Sequence, residues 1–259
     1  MHELGRYSHF QTAIDLPALS NMPAQSNFHL FGPSHIAILT SVPVSAAALA
    51  WISHRIPTSS RRIRPTLAAL LTLSGLWWYC YRFSIQHLQP PQGLPFELCD
   101  ISLWLTVYSL LRLGQRSFEL AYYWGLGGAV MAMLTPDLPA PLPSIASINF
   151  FTRHGGLILA LLYLLWSKQV WPRPRSWRFA FLTLNLYAVL VGLFDFLLGT
   201  NYLYLRNKPA SASLLDTMGK WPIYIVSADA LALILFVLLA MPFRGSAEAR
   251  PLPADEPGG

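Results

Sequence analysis

Seven apolar runs, at about 34–53, 66–86, 96–112, 118–134, 148–167, 177–198 and 221–241, constrain this chain more than any other feature. Each approaches the roughly twenty residues that a helix needs to cross the hydrocarbon core of a bilayer. In lipid the backbone finds no water to bond, so a spanning segment must be a helix or a strand of a closed barrel. The runs lack a barrel strand's alternation. They predict an all-α polytopic membrane protein, a bundle of about seven transmembrane helices. Of the 259 residues 54% are hydrophobic and only 12% charged, against roughly 25% charged in a soluble domain. The formal charge of +6 reflects topology rather than nucleic acid, because the basic residues lie in loops between runs.

Those basic residues set the orientation. The loops after the first, third and fifth runs, with the C-terminal tail, hold Arg55, Arg61, Arg62, Arg64, Arg112, Arg116, Lys168, Arg173, Arg175, Arg178, Arg244 and Arg250. The N-terminal tail and the other loops hold Arg6, Arg206, Lys208 and Lys220, and Arg82 and Arg153 lie at membrane depth. Twelve against four predicts an N-terminus outside and a C-terminus in the cytoplasm. Residues 1–33 read as a mobile tail, 34–241 as the transmembrane domain and 242–259 as a disordered cytoplasmic tail. The first thirty residues contain no apolar h-region, so the first run serves as the targeting signal. Met1 and Met22 both remain open as the start.

On that topology the ionisable residues converge. In Leu94-Pro95-Phe96-Glu97-Leu98-Cys99-Asp100 a thiol lies between carboxylates at the outer start of the third run, with Glu97, Cys99 and Asp100 expected just inside the helix. A helix N-terminus favours thiolate, while the carboxylates oppose it. Arg153 and His154 lie about two turns into the fifth run, Arg82 and Cys80 close the second, and Asp195 and Asp229 belong to the sixth and seventh. His35 begins the first. Charges at this depth usually face a bundle interior and pair, so the layer describes a polar cavity opening outward. Singly, each residue has an ordinary structural explanation: an inert Cys, a hydrogen-bonded His, a snorkelling Arg. Cys80 and Cys99 could also be joined as a disulfide, or remain free. No metal is expected, since no CxxC or HExxH spacing occurs. Nor is there a nucleotide-binding loop.

The segments LPFELCD (94–100), TPD (135–137), HG (154–155), GTNYLYL (199–205), KP (208–209) and LLDTMGKWPIY (214–224) resemble those of the bacterial YwaF-type integral membrane proteins. That group is similar to the transmembrane protein 164 acyltransferases and, more distantly, to androgen-induced membrane hydrolases. The family pattern often carries an imidazole or amide before LCD, where this chain has Glu97, and its WPWY is here Trp221-Pro222-Ile223-Tyr224.

The resemblance implies acyl transfer, or acyl-ester hydrolysis, on phospholipids in the bacterial inner membrane, with no cofactor. Cys99 would attack the ester, His154 would serve as base and acid, Asn201 would donate to the oxyanion, and Asp100 or His35 would orient His154. Arg82, Arg153, Tyr202, Lys208 and Trp221 are the candidate contacts to a phospholipid or lysophospholipid. The alternative is a non-enzymatic carrier or sensor of a lipid or small solute. Reporter fusions after residues 60, 140, 175 and 210 test the topology: cytoplasmic signals are expected at 60 and 175, and external ones at 140 and 210. Cytoplasmic signals at 140 and 210 would overturn an outward-facing site.

Overall fold

The computed structural model describes residues 28–138, 142–209 and 213–244. The expected tails fall largely outside these residues, and the choice between Met1 and Met22 falls wholly outside them. Among the described residues there is no strand. The α-helices are α1 (Pro33–Arg55), α2 (Ser60–Cys80), α3 (Leu98–Arg112), α4 (Gln115–Leu120), α5 (Leu126–Leu134), α6 (Ile145–Trp166), α7 (Ser176–Leu198) and α8 (Ile223–Ala240). A π turn, Ala121–Gly125, joins α4 to α5 as one rod, and a second, Tyr81–Ile85, prolongs α2. Among the described residues the result is seven rods at the seven apolar runs.

Four of the helices, α1, α6, α7 and α8 with its extension to Phe243, are long and apolar enough to cross a membrane. The other rods fall short for local reasons. The N-terminal end of α2 carries Arg61, Arg62 and Arg64, and α3 has 15 residues, a rise of about 22 Å. The fourth rod changes winding at its π turn.

The centre of the bundle is α6. Ala160, Leu161, Tyr163 and Leu164 are wholly buried, and three glycines bring neighbours close. A Cβ on Gly155 would lie 3.1 Å from Val42 of α1, and one on Gly156 would lie 3.1 Å from Leu71 of α2. Across the contact, a Cβ on Gly125 would meet Leu157 at 2.7 Å. Small residues permit this approach where hydrophobic driving force between helices is weak. By contrast, α7 and α8 turn large apolar faces outward, with Leu182, Val189, Phe196 and Val226 exposed. Polar ties hold them: the Tyr187 hydroxyl donates to the Phe96 carbonyl at 2.8 Å, Trp124 Nε1 donates to the Ala180 carbonyl at 3.0 Å, and Asn185 Nδ2 donates to Asp229 Oδ1 at 3.2 Å.

At the end of the bundle where α3 and α6 finish, Glu119 is wholly buried. Its carboxylate accepts from Arg173 N (3.0 Å), Nε (2.8 Å) and Nη2 (2.8 Å) and from Gln115 Nε2 (3.0 Å). The loop between α6 and α7 is thereby stapled to α4. Arg173→Ala leaves that charge buried with two donors fewer, at an expected cost of about 3 kcal/mol. Arg173→Lys recovers only part of it, because an ammonium cannot give the paired Nε and Nη2 bonds. Tryptophan-fluorescence melting in detergent should rank wild type above Lys above Ala, and equal melting of all three would remove the staple from the account.

Candidate functional site

Cys99 begins the site. Glu97 is the N-cap of α3, with extended backbone (φ −69°, ψ 146°) and a carbonyl that accepts Asp100 N at 3.0 Å. The helix therefore starts after Glu97, not before it as the sequence suggested. The Glu97 side chain does not cap its own helix: Oε2 instead accepts the Leu203 N–H at 3.3 Å. That frees the thiol and the Asp100 carboxylate, one and two residues into α3, to face the bundle. Cys80 and Cys99 are both free thiols, Cys80 exposed and Cys99 part-buried.

Asp100 is 1% exposed, and Arg153 Nη2 donates to its Oδ1 at 2.6 Å. Arg82 Nη1 approaches Oδ2 at 3.9 Å. Arg82 reaches this position from the π turn that ends α2, where its Nη2 also donates to the Gln92 carbonyl at 3.0 Å. The Arg153 guanidinium carbon lies 5.2 Å from the centre of the Trp78 ring, a cation–π contact. Three rods thus meet at one carboxylate. Asp100 is the chain neighbour of Cys99, and Arg153 is the chain neighbour of His154. The ion pair consequently sets α3 against α6 at the level of the thiol and the imidazole. Asp100 does not orient His154 by a bond of its own.

His154 is buried, and its Nδ1 lies 2.8 Å from the Phe150 carbonyl. A carbonyl only accepts, so Nδ1 carries the proton and Nε2 of the neutral ring keeps a lone pair. That nitrogen suits a general base. Cys99 and His154 line the same cavity of about 440 Å³, within the size range of small-molecule sites. Its wall comprises Trp78, Arg82, Gln86 and Leu88 from the α2 side, Glu97, Cys99 and Asp100, then Ala132, Thr135 and Asp137 from the end of α5, Phe150, Arg153 and His154 of α6, and finally Tyr204.

The other expected residues lie elsewhere. His35 is wholly buried, its Nε2 donating to the Met133 carbonyl (2.8 Å) and its Nδ1 accepting Phe31 N–H (3.0 Å). It ties α1 to α5 and is not in the cavity wall. Asn201 spends its amide on its own loop: Nδ2 donates to the Asn207 carbonyl (2.9 Å), and Oδ1 accepts from Arg206 N and Asn207 N, both at 3.0 Å. With Tyr202 it lines a smaller pocket of about 100 Å³, which shares Arg82 and Glu97 with the larger one. The Tyr202 hydroxyl donates to the Pro91 carbonyl at 2.6 Å. Lys208 lies over the Tyr224 ring at 5.4 Å, and Trp221 Nε1 donates to the Leu205 carbonyl at 3.1 Å. Neither joins either wall.

Of the expected contacts, then, Cys99, His154, Asp100, Arg82 and Arg153 come together. Trp78, Gln86, Asp137, Phe150 and Tyr204 enter the wall without having been singled out for a site. Asp137 and Tyr204 do fall within the TPD and GTNYLYL segments, which was the available signal.

The model of the TMEM164 family matches residues 30–240. No curated protein and no solved structure matches the chain.

Asp100→Asn strands two buried guanidiniums, and Arg153→Met strands a buried carboxylate. Each single change should cost about 3–5 kcal/mol. The double variant should cost less than their sum by a coupling of about 1–3 kcal/mol. A double-mutant cycle on unfolding in detergent measures this; strict additivity would mean that the pair does not bind α3 to α6.

Proposed function

The chain belongs to the TMEM164 family, and on that premise we propose that it is a lipid-modifying membrane enzyme that transfers or hydrolyses the acyl group of a phospholipid through Cys99 and His154. The protein is a multi-pass membrane protein. In this reading all seven rods cross the bilayer of the bacterial inner membrane, with the N-terminus outside and the cavity at the depth of the outer headgroups. The observation that carries the reading is the meeting of a thiol and an imidazole with a bare Nε2 in one cavity.

His154 Nε2 takes the proton as Cys99 Sγ attacks the ester carbonyl. The C–S bond forms, and the carbonyl π pair moves onto oxygen. Collapse expels the lysolipid alkoxide, which takes the proton back from the imidazolium, and a thioester remains on Cys99. The acceptor then repeats the sequence: a lysophospholipid hydroxyl completes transfer, and water completes hydrolysis. Arg153 is committed to Asp100 and positions the base. Arg82, whose Nη1 lies 3.9 Å from Asp100 and whose Nη2 donates to the Gln92 carbonyl, lines the same wall and in this reading shares its charge with a headgroup phosphate. Tyr202, Lys208 and Trp221 support the surrounding loops in this reading, and His35 supports α1.

Intact mass after incubation with a lipid extract supplies the test. Wild type should gain one acyl chain and Cys99→Ala none. His154→Gln should insert and melt close to wild type, since Gln keeps polarity and approximate size while giving up the hydrogen bond and the 4.4 Å ring contact with Phe150, yet lose lipid turnover. Combining the two changes should be hardly worse than either alone, since residues acting as a unit are non-additive. Lipid binding without an adduct in wild type, unchanged in Cys99→Ala, would instead identify a carrier or sensor. Full turnover by His154→Gln would remove His154 as the base.

A further inference from the structure

Attack on an ester places negative charge on its carbonyl oxygen, and one preorganised donor there is worth on the order of 10²–10³ in rate. Asn201 cannot fill that role as placed, because both ends of its amide are bonded within its own loop and it faces the smaller pocket. Within the 199–205 segment it is Tyr204 that lines the wall shared by Cys99 and His154.

The backbone around Tyr204 is held with unusual firmness. Leu203 (φ 53°) and Tyr204 (φ 54°) both adopt the left-handed conformation, which is strained for a non-glycine residue. Asp195 Oδ1 accepts Tyr202 N–H at 3.0 Å, Glu97 Oε2 accepts Leu203 N–H at 3.3 Å, and the Tyr224 hydroxyl donates to the Tyr204 carbonyl at 2.6 Å. None of these bonds uses the Tyr204 hydroxyl. They fix the main chain of a residue that lines the cavity and is 38% exposed, and its phenol makes no hydrogen bond among the described residues. Partial desolvation, with the Glu97 carboxylate next in effect, shifts that phenol upward from its ordinary range. It therefore keeps its proton at neutral pH and can donate it.

We propose that Tyr204 is a catalytic residue of this site, its hydroxyl donating a hydrogen bond to the substrate's carbonyl oxygen while Cys99 attacks. The assignment rests on the Cys99/His154 acyl-transfer reading above. As the C–S bond forms, the π pair becomes an oxygen lone pair and the phenol O–H shortens its bond to that oxygen without giving up the proton. When the C–O bond of the ester breaks, the pair returns to the carbonyl and the leaving alkoxide is protonated by His154.

Full-length protein in detergent, given p-nitrophenyl octanoate, tests this. Acylation is read as a burst of p-nitrophenolate and as an octanoyl mass on Cys99. Alkylation of Cys99 by iodoacetamide is the control, since that displacement develops no oxyanion. Tyr204→Phe should acylate 10²–10³-fold more slowly than wild type, with alkylation within twofold and melting unchanged. Acylation at the wild-type rate would overturn the assignment. So would acylation and alkylation falling together, because the hydroxyl would then act on the thiol or the fold. If wild type itself takes up no octanoyl group on Cys99, the underlying Cys99/His154 reading fails, and this assignment fails with it.

Discussion

The arrangement depends on one buried carboxylate. Asp100 has given up nearly all contact with water, and its charge is answered by a guanidinium from α6 at 2.6 Å, with a second from the end of α2 near by. Such a pair adds little net stability over a well-packed apolar contact. What it supplies is selectivity of arrangement: helices that could slide along apolar surfaces at little cost lose several kcal/mol if this carboxylate loses its partner. In lipid, where helix association has no hydrophobic driving force of its own, that is a strong constraint on register. The thiol and the imidazole inherit it because each is next in sequence to one half of the pair.

A second layer of constraint covers the first. Asp195, near the end of α7, accepts from Thr200 Oγ1 at 2.5 Å and from Tyr202 N–H at 3.0 Å, and Asn201 folds the following turn upon itself. Glu97 reaches across from the start of α3 to the same segment. Carboxylates here organise loops through backbone N–H groups, and the side chains on those loops are released for other contacts. Glu119 works likewise at the opposite end, gripping the backbone and the guanidinium of Arg173.

The rods were legible because their cause is local: long apolar runs that must satisfy their own backbone. Their ends were less so. α2 begins at Ser60, well before the apolar run, because helical backbone bonding continues through polar residues such as Arg61, Arg62 and Arg64. Cys99, Asp100, Arg82, Arg153 and His154 were legible as a group, since position can be counted along each apolar run from its end. The partners were not. His35 bonds to the Met133 carbonyl, 98 residues away, and nothing in its neighbourhood announces that its ring is already occupied. Asn201 carries an amide in a suggestive loop, but a short polar side chain often turns back on its own main chain, which separates the two tyrosines beside it into a buried anchor and a cavity wall.

The order of the wall along the chain has a consequence for biosynthesis. Every residue of the larger cavity except Tyr204 lies between positions 78 and 154. A ribosome making this protein therefore delivers the thiol, the imidazole and their paired charges in one continuous stretch. The last piece arrives only after α7 has been made, and its carbonyl is secured only when Tyr224 of α8 follows. Until Tyr224 has been made the nascent chamber stands open on that side. The whole wall is thus assembled only in chains that have passed that point.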